Sequence, residues 1–152
     1  MFFMVSKTKQ KQGFTIVELM VTIGIVMILA LLAIPHVWRV RVNSNESVAV
    51  SNITSLNSVL QLYYINNNIF PESLSMLTPP QANPGYIDQE LASGSKSGYN
   101  LEYSYTDGSH FYINANPQSL GRTGNNYFYI DETGVVRSNS EEEAGVNDSP
   151  LR

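Results

Sequence analysis

The residues that decide the fold are Lys11-Gln12-Gly13-Phe14-Thr15-Ile16-Val17-Glu18, followed directly by an uncharged apolar run from Leu19 to Ile34. A helix needs about 20 consecutive apolar residues to cross the core of a bilayer. The stretch from Phe14 to Trp38 is long enough, so the sequence predicts a membrane-spanning helix over residues 14–38. Pro35 is expected to kink this helix, because proline has no backbone N–H to donate.

Glu18 is the unusual residue of this stretch. A carboxylate at the centre of a bilayer costs on the order of 3 kcal/mol, and less near the interface, so a carboxylate there predicts a cationic partner. No lysine or arginine lies between Phe14 and Trp38. Cleavage of the chain after Gly13 would create a free amine on Phe14, close to Glu18 in sequence. The pattern therefore predicts that proteolysis supplies the missing positive charge.

These residues resemble the class III signal peptide of type IV pilins and type II secretion pseudopilins. The resemblance implies that a prepilin peptidase cuts between Gly13 and Phe14 and that the new amino terminus of Phe14 is methylated. It implies that Glu18 neutralises the amine of a neighbouring subunit during assembly and that Pro35 is the kinking proline of the helix.

The resemblance also implies a location and a set of partners. The chain is expected to cross the bacterial inner membrane once with its amino terminus in the cytoplasm, in contact with lipid. It would then meet an inner-membrane assembly platform and join a periplasmic or extracellular filament, built from copies of itself or from other pilins or pseudopilins. Three leader lysines against Arg39 and Arg41 favour the same orientation.

The alternatives are an ordinary secretory signal and an uncleaved anchor. A secretory signal has an apolar core of roughly 7 to 15 residues and a small-residue cleavage site beyond it. The apolar run here is longer, and the residues after Ile34 are Pro35, His36, Val37 and Trp38, which do not form such a site. Both alternatives are therefore disfavoured.

The remainder of the chain predicts an α+β, pilin-like fold, with the long helix packed on a small antiparallel sheet of three or four strands. Beyond the membrane the helix is expected to be amphipathic, because Ala49, Ile53, Leu56, Leu60 and Tyr63 recur at steps of three and four. From Tyr99 to Tyr105 apolar and polar residues alternate, as in a strand with one buried face. Asp107-Gly108 then predicts a tight hairpin, and Thr133-Gly134 a turn into a last strand at Val135 and Val136.

Six segments follow from these patterns. They are a cleaved leader over residues 1–13, a transmembrane and filament-core helix over 14–38, its amphipathic continuation over 39–68, a connecting region over 69–98, an antiparallel sheet over 99–138, and a loose, polar, acidic tail over 139–152.

Composition excludes several functional classes. The formal net charge is −4, and loss of Lys7, Lys9 and Lys11 with the leader leaves −7. This acidity disfavours nucleic acid as a partner, because non-specific binding needs lysine and arginine to neutralise phosphates. There is no cysteine, so a zinc site of cysteine and histidine ligands is excluded. No catalytic signature is present, and the protein is predicted not to be an enzyme and to need no cofactor.

Calcium is the most serious ligand alternative. The resemblance suggests it, because some type II pseudopilins bind calcium near their last strands. Carboxylates are the hard oxygen donors that calcium prefers. The candidate ligands are Asp131, Glu132, Glu141, Glu142 and Glu143, although their spacing matches no calcium motif. A solvated acidic surface is the alternative interpretation.

Three functions stay open at this point. The first is a structural subunit of a type IV pilus-like filament. The second is a type II secretion pseudopilin in a periplasmic pseudopilus for protein export. It is favoured by Phe70-Pro71-Glu72-Ser73-Leu74, which is similar to a segment common in pseudopilins, and by the lack of a cysteine-closed carboxy-terminal loop. The third is a minor pilin that captures a ligand or DNA, against which the acidity counts.

Overall fold

The computed structural model describes residues 13–151. The predicted leader before Gly13 and the last residue of the predicted tail lie outside the described residues. The chain divides into two compact units, Met1–Val37 and Trp38–Arg152, and the long helix α1 (Ile16–Asn67) contributes residues to both. The two units are described in turn.

In the first unit, every described side chain is exposed, including the apolar residues from Ile16 to Val37. Within residues 13–151, α1 is the one helix long and apolar enough to cross a membrane, and none of its most apolar window is buried. Aliphatic surface of this extent is unfavourable in water. This part of α1 therefore requires lipid or protein around it.

In the second unit, α1 buries one stripe of side chains and exposes the rest. The buried residues are Val42, Ala49, Ile53, Leu56 and Leu60, which recur at helical spacing on a single face. The predicted stripe is confirmed from Ala49 to Leu60. Tyr63 is only half-buried, and its ring lies edge-on to Tyr86 with the centroids 6.5 Å apart. The helix ends at Asn67, and Asn68 follows in the left-handed conformation with φ 60°.

The sheet is antiparallel throughout, and its five strands lie in chain order. They are β1 (Ser95–Lys96), β2 (Tyr99–Asp107), β3 (His110–Pro117), β4 (Tyr127–Asp131) and β5 (Arg137–Asn139). The α+β pilin-like architecture is confirmed, but the strand number of three or four is wrong. A two-residue strand such as β1 is too short to show alternation. The last strand begins after Val136 rather than at Val135.

The β2–β3 hairpin turns one residue later than the sequence predicts. Asp107 pairs with His110, so Gly108 and Ser109 form the connection, and the register shifts between Tyr105 and Asp107. The shift is a local bulge, which changes the direction of the side chains beyond it. Tyr105 is the last residue in regular register before the shift, and it is exposed although its partner Phe111 is buried.

The core of the second unit lies between the helix stripe and the inner face of the sheet. Its largest fully buried side chains include Tyr99, Phe111, Ile113 and Ile130 from the strands. Aromatic pairs extend it, with Phe70 stacked on Tyr64 and edge-on to Phe111, the centroids 4.6 Å apart in both pairs. The Tyr103 hydroxyl donates to the Pro71 carbonyl at 2.6 Å.

The connection between helix and sheet contributes to this core. A short 3₁₀ helix (Leu74–Leu77) buries both of its leucines. The helix α2 (Gln89–Ala92) follows, and the Asp88 carboxylate caps it by accepting a hydrogen bond from the Leu91 amide at 2.6 Å. Leu91 is buried. The connecting region is therefore packed at its apolar residues and exposed between them.

The C-terminal segment, residues 140–151, is not the loose tail that its composition predicts. Ala144 is buried, and the Glu143 carboxylate accepts hydrogen bonds from the side-chain amides of Asn114 and Asn116. The Ser138 amide donates to the Ser149 carbonyl at 3.2 Å, and the Leu151 amide to the Val136 carbonyl at 2.8 Å. Composition failed here because these bonds join residues far apart in sequence.

Candidate assembly site

The predicted processing residues lie at the exposed start of the described chain. Gly13 lies before the first residue of α1, outside any helix or strand, and a Cβ built on it would meet no atom within 4 Å. Phe14 is 76% exposed. A protease can bind a peptide bond only where the backbone is accessible, and the Gly13–Phe14 bond meets this condition.

Thr15 and Glu18 together form the start of α1. The Glu18 amide donates to the Thr15 hydroxyl at 3.2 Å, and the Leu19 amide donates to the Thr15 carbonyl at 3.2 Å. Thr15 is therefore the N-cap residue, which satisfies one of the amides left free in the first turn of a helix. Sequence reasoning missed this role, although a Thr-x-x-Glu pattern before an apolar run is the signature of a helix start.

The first turn of α1 also favours the charge of Glu18. Aligned peptide dipoles place a partial positive charge at a helix amino terminus, which stabilises a carboxylate there by about 0.3–1 kcal/mol. Glu18 is the acidic residue of this turn. Its position is thus partly explained within the chain, before any partner is considered.

Pro35 lies inside α1, where the apolar run of the helix ends. Because proline lacks an N–H, the Pro35 position cannot complete the backbone hydrogen-bond ladder. The kink assigned to Pro35 stays a prediction, as do the roles of Gly13, Phe14 and Glu18.

The start of α1 is arranged for cleavage of one peptide bond and for burial of the resulting amine. An exposed glycine-phenylalanine bond is open to hydrolysis, and the resulting amine on Phe14 would stand beside a helix start that carries one carboxylate. The aliphatic surface that follows has no cover within residues 13–151. Burial of such a surface between copies of the chain is favourable by about 25 cal/mol per Å², and it would enclose the amine and the carboxylate together.

The five calcium candidates fall into two separate places along the chain. Asp131, at the end of β4, accepts hydrogen bonds from the amide and hydroxyl of Thr133, while Glu132 lies 3.8 Å from His110 Nε2. Glu143 binds two asparagines as described above, and the amides of Glu141 and Glu142 donate to Asn139. Within residues 13–151, no three histidine, cysteine or acidic residues are grouped to hold a metal ion. Calcium binding stays a prediction.

Lys96 forms partly exposed ion pairs with two acidic residues of the second unit. Lys96 Nζ lies 2.8 Å from Asp88 Oδ2 and 3.5 Å from Glu90 Oε2. The hydrogen bond from Lys96 lowers the pKa of Asp88, and the same contact raises the pKa of Lys96. Burial raises the pKa of Tyr99 and Tyr103, which stay neutral at physiological pH. Partly exposed ion pairs of this kind contribute little to stability, whereas Tyr99 belongs to the core and Tyr103 packs against it.

The comparisons with known proteins agree with these features. Residues 8–34 match the family model described as the prokaryotic N-terminal methylation motif. The chain is 31% identical over 122 residues to the type II secretion system core protein G of Escherichia coli. This match covers 72% of the chain and 84% of that protein. It is 24% identical over 103 residues to the type IV wide pilus major component PilA4 of Thermus thermophilus. This match covers 66% of the chain and 79% of that protein.

A third relative is matched over a shorter length. The type II secretion system core protein G of Pectobacterium carotovorum is 34% identical over 79 residues, which is 49% of the chain and 51% of that protein. The chain therefore spans about half the length of this relative. The relatives are structural pilins and pseudopilins, not enzymes. From the motif, the Escherichia coli match and the shared architecture of a long apolar helix with an antiparallel sheet, the chain belongs to the family of type IV pilins and type II secretion pseudopilins.

Proposed function

We propose that the protein is a structural subunit of a type IV pilus-like filament, matured by cleavage between Gly13 and Phe14 and by methylation of Phe14. The observation that carries the proposal is the exposed apolar half of α1 directly after a helix start that presents Glu18. Before assembly this half is anchored in the bacterial inner membrane, with the leader in the cytoplasm. In the filament, the same surface packs against the helices of neighbouring subunits.

The role of Glu18 follows from the cost of burying charge. A methylated amine and a carboxylate enclosed among aliphatic side chains attract each other strongly, but their loss of hydration offsets much of the gain. Removing one partner leaves the other uncompensated, at a cost of about 3–5 kcal/mol. The pair therefore acts mainly on register, because an axial misplacement of one subunit separates Glu18 from the amine of its neighbour.

Assembly of this kind implies partners. We propose that the chain is processed by a prepilin peptidase and inserted by an inner-membrane platform into a filament of its own copies or of related subunits. The three lysines of the leader outnumber the two arginines beyond the span, and this difference supports a cytoplasmic amino terminus.

A second candidate is the type II secretion pseudopilin, a subunit of a periplasmic pseudopilus that serves protein export. Two observations favour it. Several relatives carry the name type II secretion system core protein G. The segment Phe70-Pro71-Glu72-Ser73-Leu74, similar to one common in pseudopilins, packs its phenylalanine, proline and leucine into the core. A pilus and a pseudopilus share the maturation chemistry, so location and length of the filament separate them.

The decisive experiment is mass spectrometry of the amino terminus of the protein isolated from its own membranes. The expected mass is that of a chain beginning at Phe14 with one methyl group on nitrogen. A matched pair of variants sharpens the test. Gly13→Ala is expected to be cleaved in part, whereas Gly13→Leu is expected to retain the leader. A native protein that keeps its leader, or starts at another residue, overturns the proposal in favour of a tethered domain.

A further inference from the structure

A basic cavity lies at the start of the second unit, between the first turns of its helix and the loop that connects β3 to β4. Its volume is about 480 Å³, which is within the range of pockets that hold small ligands. We call it the arginine pocket. It is lined by Trp38, Arg41, Asn45, Ser119, Arg122 and Thr123.

The loop side of the arginine pocket is held in place by its own hydrogen bonds. The amides of Arg122 and Thr123 donate to the Ser119 carbonyl at 3.0 and 2.9 Å, and the Ser119 amide donates to the Thr123 hydroxyl at 3.0 Å. Asn45 Nδ2 of the helix donates to the Thr123 carbonyl at 3.0 Å. These bonds fix the position of Arg122 relative to the helix without occupying its guanidinium.

The charge of the pocket is positive and uncompensated. In the described part of the chain, no carboxylate lies within 4.0 Å of Arg39, Arg41 or Arg122. Glu46 is the one acidic residue between Glu18 and Glu72, and its two oxygens already accept from the Asn125 amide and from Asn126 Nδ2. The pocket therefore presents two arginines among hydroxyl and amide groups, with no acid among its lining residues.

Trp38 forms one wall of the pocket and is the last residue of the predicted membrane span. The Arg122 guanidinium lies 5.9 Å from the centre of the Trp38 ring, as in a cation–π pair. Trp38 is 48% exposed and also lines an adjacent cavity with Arg39. It follows directly after the last aliphatic residues of the span, and tryptophan is enriched at the level of lipid headgroups.

We propose that the arginine pocket binds the phosphate group of an anionic phospholipid headgroup in the membrane in which α1 is anchored. One arginine guanidinium can donate two parallel hydrogen bonds to two oxygens of a phosphate. An arginine near an anionic bilayer surface is also attracted electrostatically to the lipid. The pocket explains why arginines stand on the side of the span where positive charge is usually scarce. The inference rests on membrane anchoring before assembly, and it does not depend on cleavage at Gly13.

The test uses the fluorescence of Trp38, which is the single tryptophan of the chain. The full chain in a neutral detergent is titrated with inorganic phosphate, with short-chain phosphatidylglycerol and with short-chain phosphatidylcholine. We expect a saturable change in Trp38 emission with phosphatidylglycerol alone. Arg122→Gln and Arg41→Gln should each weaken the apparent affinity about fivefold. The control Lys96→Gln removes one positive charge from the same unit outside the pocket and should leave the affinity unchanged.

Each other outcome contradicts the proposal. An equal response to inorganic phosphate assigns the pocket to the free anion, and an equal response to phosphatidylcholine assigns the signal to acyl chains. A change in emission that depends on protein concentration without lipid assigns the pocket to a carboxylate of a second copy. If both arginine variants bind phosphatidylglycerol as tightly as the unmodified chain, the guanidiniums do not hold the headgroup. Because the amino terminus is analysed separately, failure here leaves the proposed filament function intact.

Discussion

At the scale of single residues, Glu18 has two separable properties. Its backbone amide donates to Thr15 and closes the first turn of α1, while its side chain is the one aspartate, glutamate, lysine or arginine side chain between Phe14 and Trp38. An amide side chain preserves the first property and removes the second. Substitution at Thr15 does the reverse.

We predict that Glu18→Gln inserts into the membrane normally but impairs filament assembly, because the amine of the neighbouring subunit is left without a counter-charge. Thr15→Ala is the matched control. It removes the cap, at a cost of about 1 kcal/mol, and should assemble to near the normal yield. The measurement is the ratio of sheared filament to membrane-bound subunit. Equal ratios for Glu18→Gln and the unmodified chain would show that charge neutralisation is not part of assembly.

Gly124 shows how closely one backbone atom approaches a buried ring. A Cβ built on Gly124 would lie 1.9 Å from the Tyr99 hydroxyl oxygen and 2.5 Å from Cζ. Tyr99 is fully buried and donates to the Asn126 carbonyl at 2.8 Å, so it has no free space into which to move.

We predict that Gly124→Ala lowers the free energy of unfolding by about 1–3 kcal/mol, the usual cost of forcing an extra carbon into a packed core. Gly145→Ala is the control, because a Cβ there meets no atom within 4 Å. Urea unfolding followed by circular dichroism measures both. A Gly124→Ala variant as stable as Gly145→Ala would mean that the loop carrying Gly124 moves away from Tyr99 at little cost.

At the scale of elements, the C-terminal segment is joined to the outer face of the sheet by one acidic side chain. Glu143 accepts from the amides of Asn114 and Asn116, and Asn114 is only 9% exposed. The amide of a buried asparagine that loses its acceptor keeps the cost of lost hydration.

We predict that Glu143→Ala destabilises the second unit by about 1.5 kcal/mol, the low end of the range for a bond to a charged group, because Glu143 itself is exposed. Glu142→Ala is the control, since only its backbone amide makes a hydrogen bond. The comparison is made by thermal unfolding without added calcium. Equal melting temperatures for the two variants would show that the C-terminal segment does not depend on Glu143.

The β2–β3 hairpin carries a pH-dependent pair at its turn. His110 Nδ1 lies 2.9 Å from Asp107 Oδ1, and Glu132 Oε1 lies 3.8 Å from His110 Nε2. The hydrogen bond to Asp107 raises the pKa of His110 above its usual 6.5. The pKa of Asp107 falls below its usual 3.8 because its carboxylate accepts from the Ser109 amide and then from His110.

Because the pKa of His110 is raised and that of Asp107 is lowered in the folded protein, the stability of the fold depends on pH. The contribution of His110 is fully present below about pH 6.5, its unfolded pKa, and is lost as the pH rises through its higher folded value. The contribution of Asp107 is lost only as the pH falls through its lowered pKa. We predict that the melting temperature falls as the pH rises above about 6.5 and that His110→Gln reduces this fall. A fall of the same size in His110→Gln would assign it to other groups.

At the scale of the whole molecule, the two units differ in what they need from their surroundings. The second unit has its core inside Trp38–Arg152, whereas the described part of the first unit buries nothing. We therefore expect the second unit to fold alone and the first unit to serve anchoring and assembly.

We predict that residues 38–152 alone are soluble and unfold in one cooperative transition, because the helix stripe and the inner face of the sheet supply a complete core. The full chain should need detergent, because its aliphatic helix is exposed. Size-exclusion chromatography and thermal unfolding measure the two properties. Aggregation or gradual melting of the shorter chain would show that its packing depends on the first unit.

The sequence predicts those parts of the fold that rest on local repetition. The apolar run predicts the first part of α1, helical spacing predicts the stripe from Ala49 to Leu60, and alternation predicts β2. Each of these signals is carried by many residues in a row, so a single exception does not erase it.

The remaining features rest on pairs of residues that are distant in the chain. No local pattern brings Glu143 to Asn114 or Arg122 to Trp38, and β1 is too short to alternate. At the candidate site, a motif indicates Gly13, Phe14 and Glu18, whereas the role of Thr15 is indicated only by its Thr-x-x-Glu pattern. The arginine pocket was beyond sequence reasoning, since its two sides come from separate elements.

The backbone hydrogen bonds that the C-terminal segment makes beside β5 affect how copies of the protein meet at high concentration. An open strand at the margin of a sheet is a template on which another chain can add, which leads to aggregation. Here the backbone of Ser149 and Leu151 pairs beside β5, whereas at the opposite margin β1 pairs with only Tyr99 and Asn100 of β2. Subunits held at high local density therefore have little strand to share at the β5 margin, and a tag fused after Arg152 would disturb the pairing that protects it.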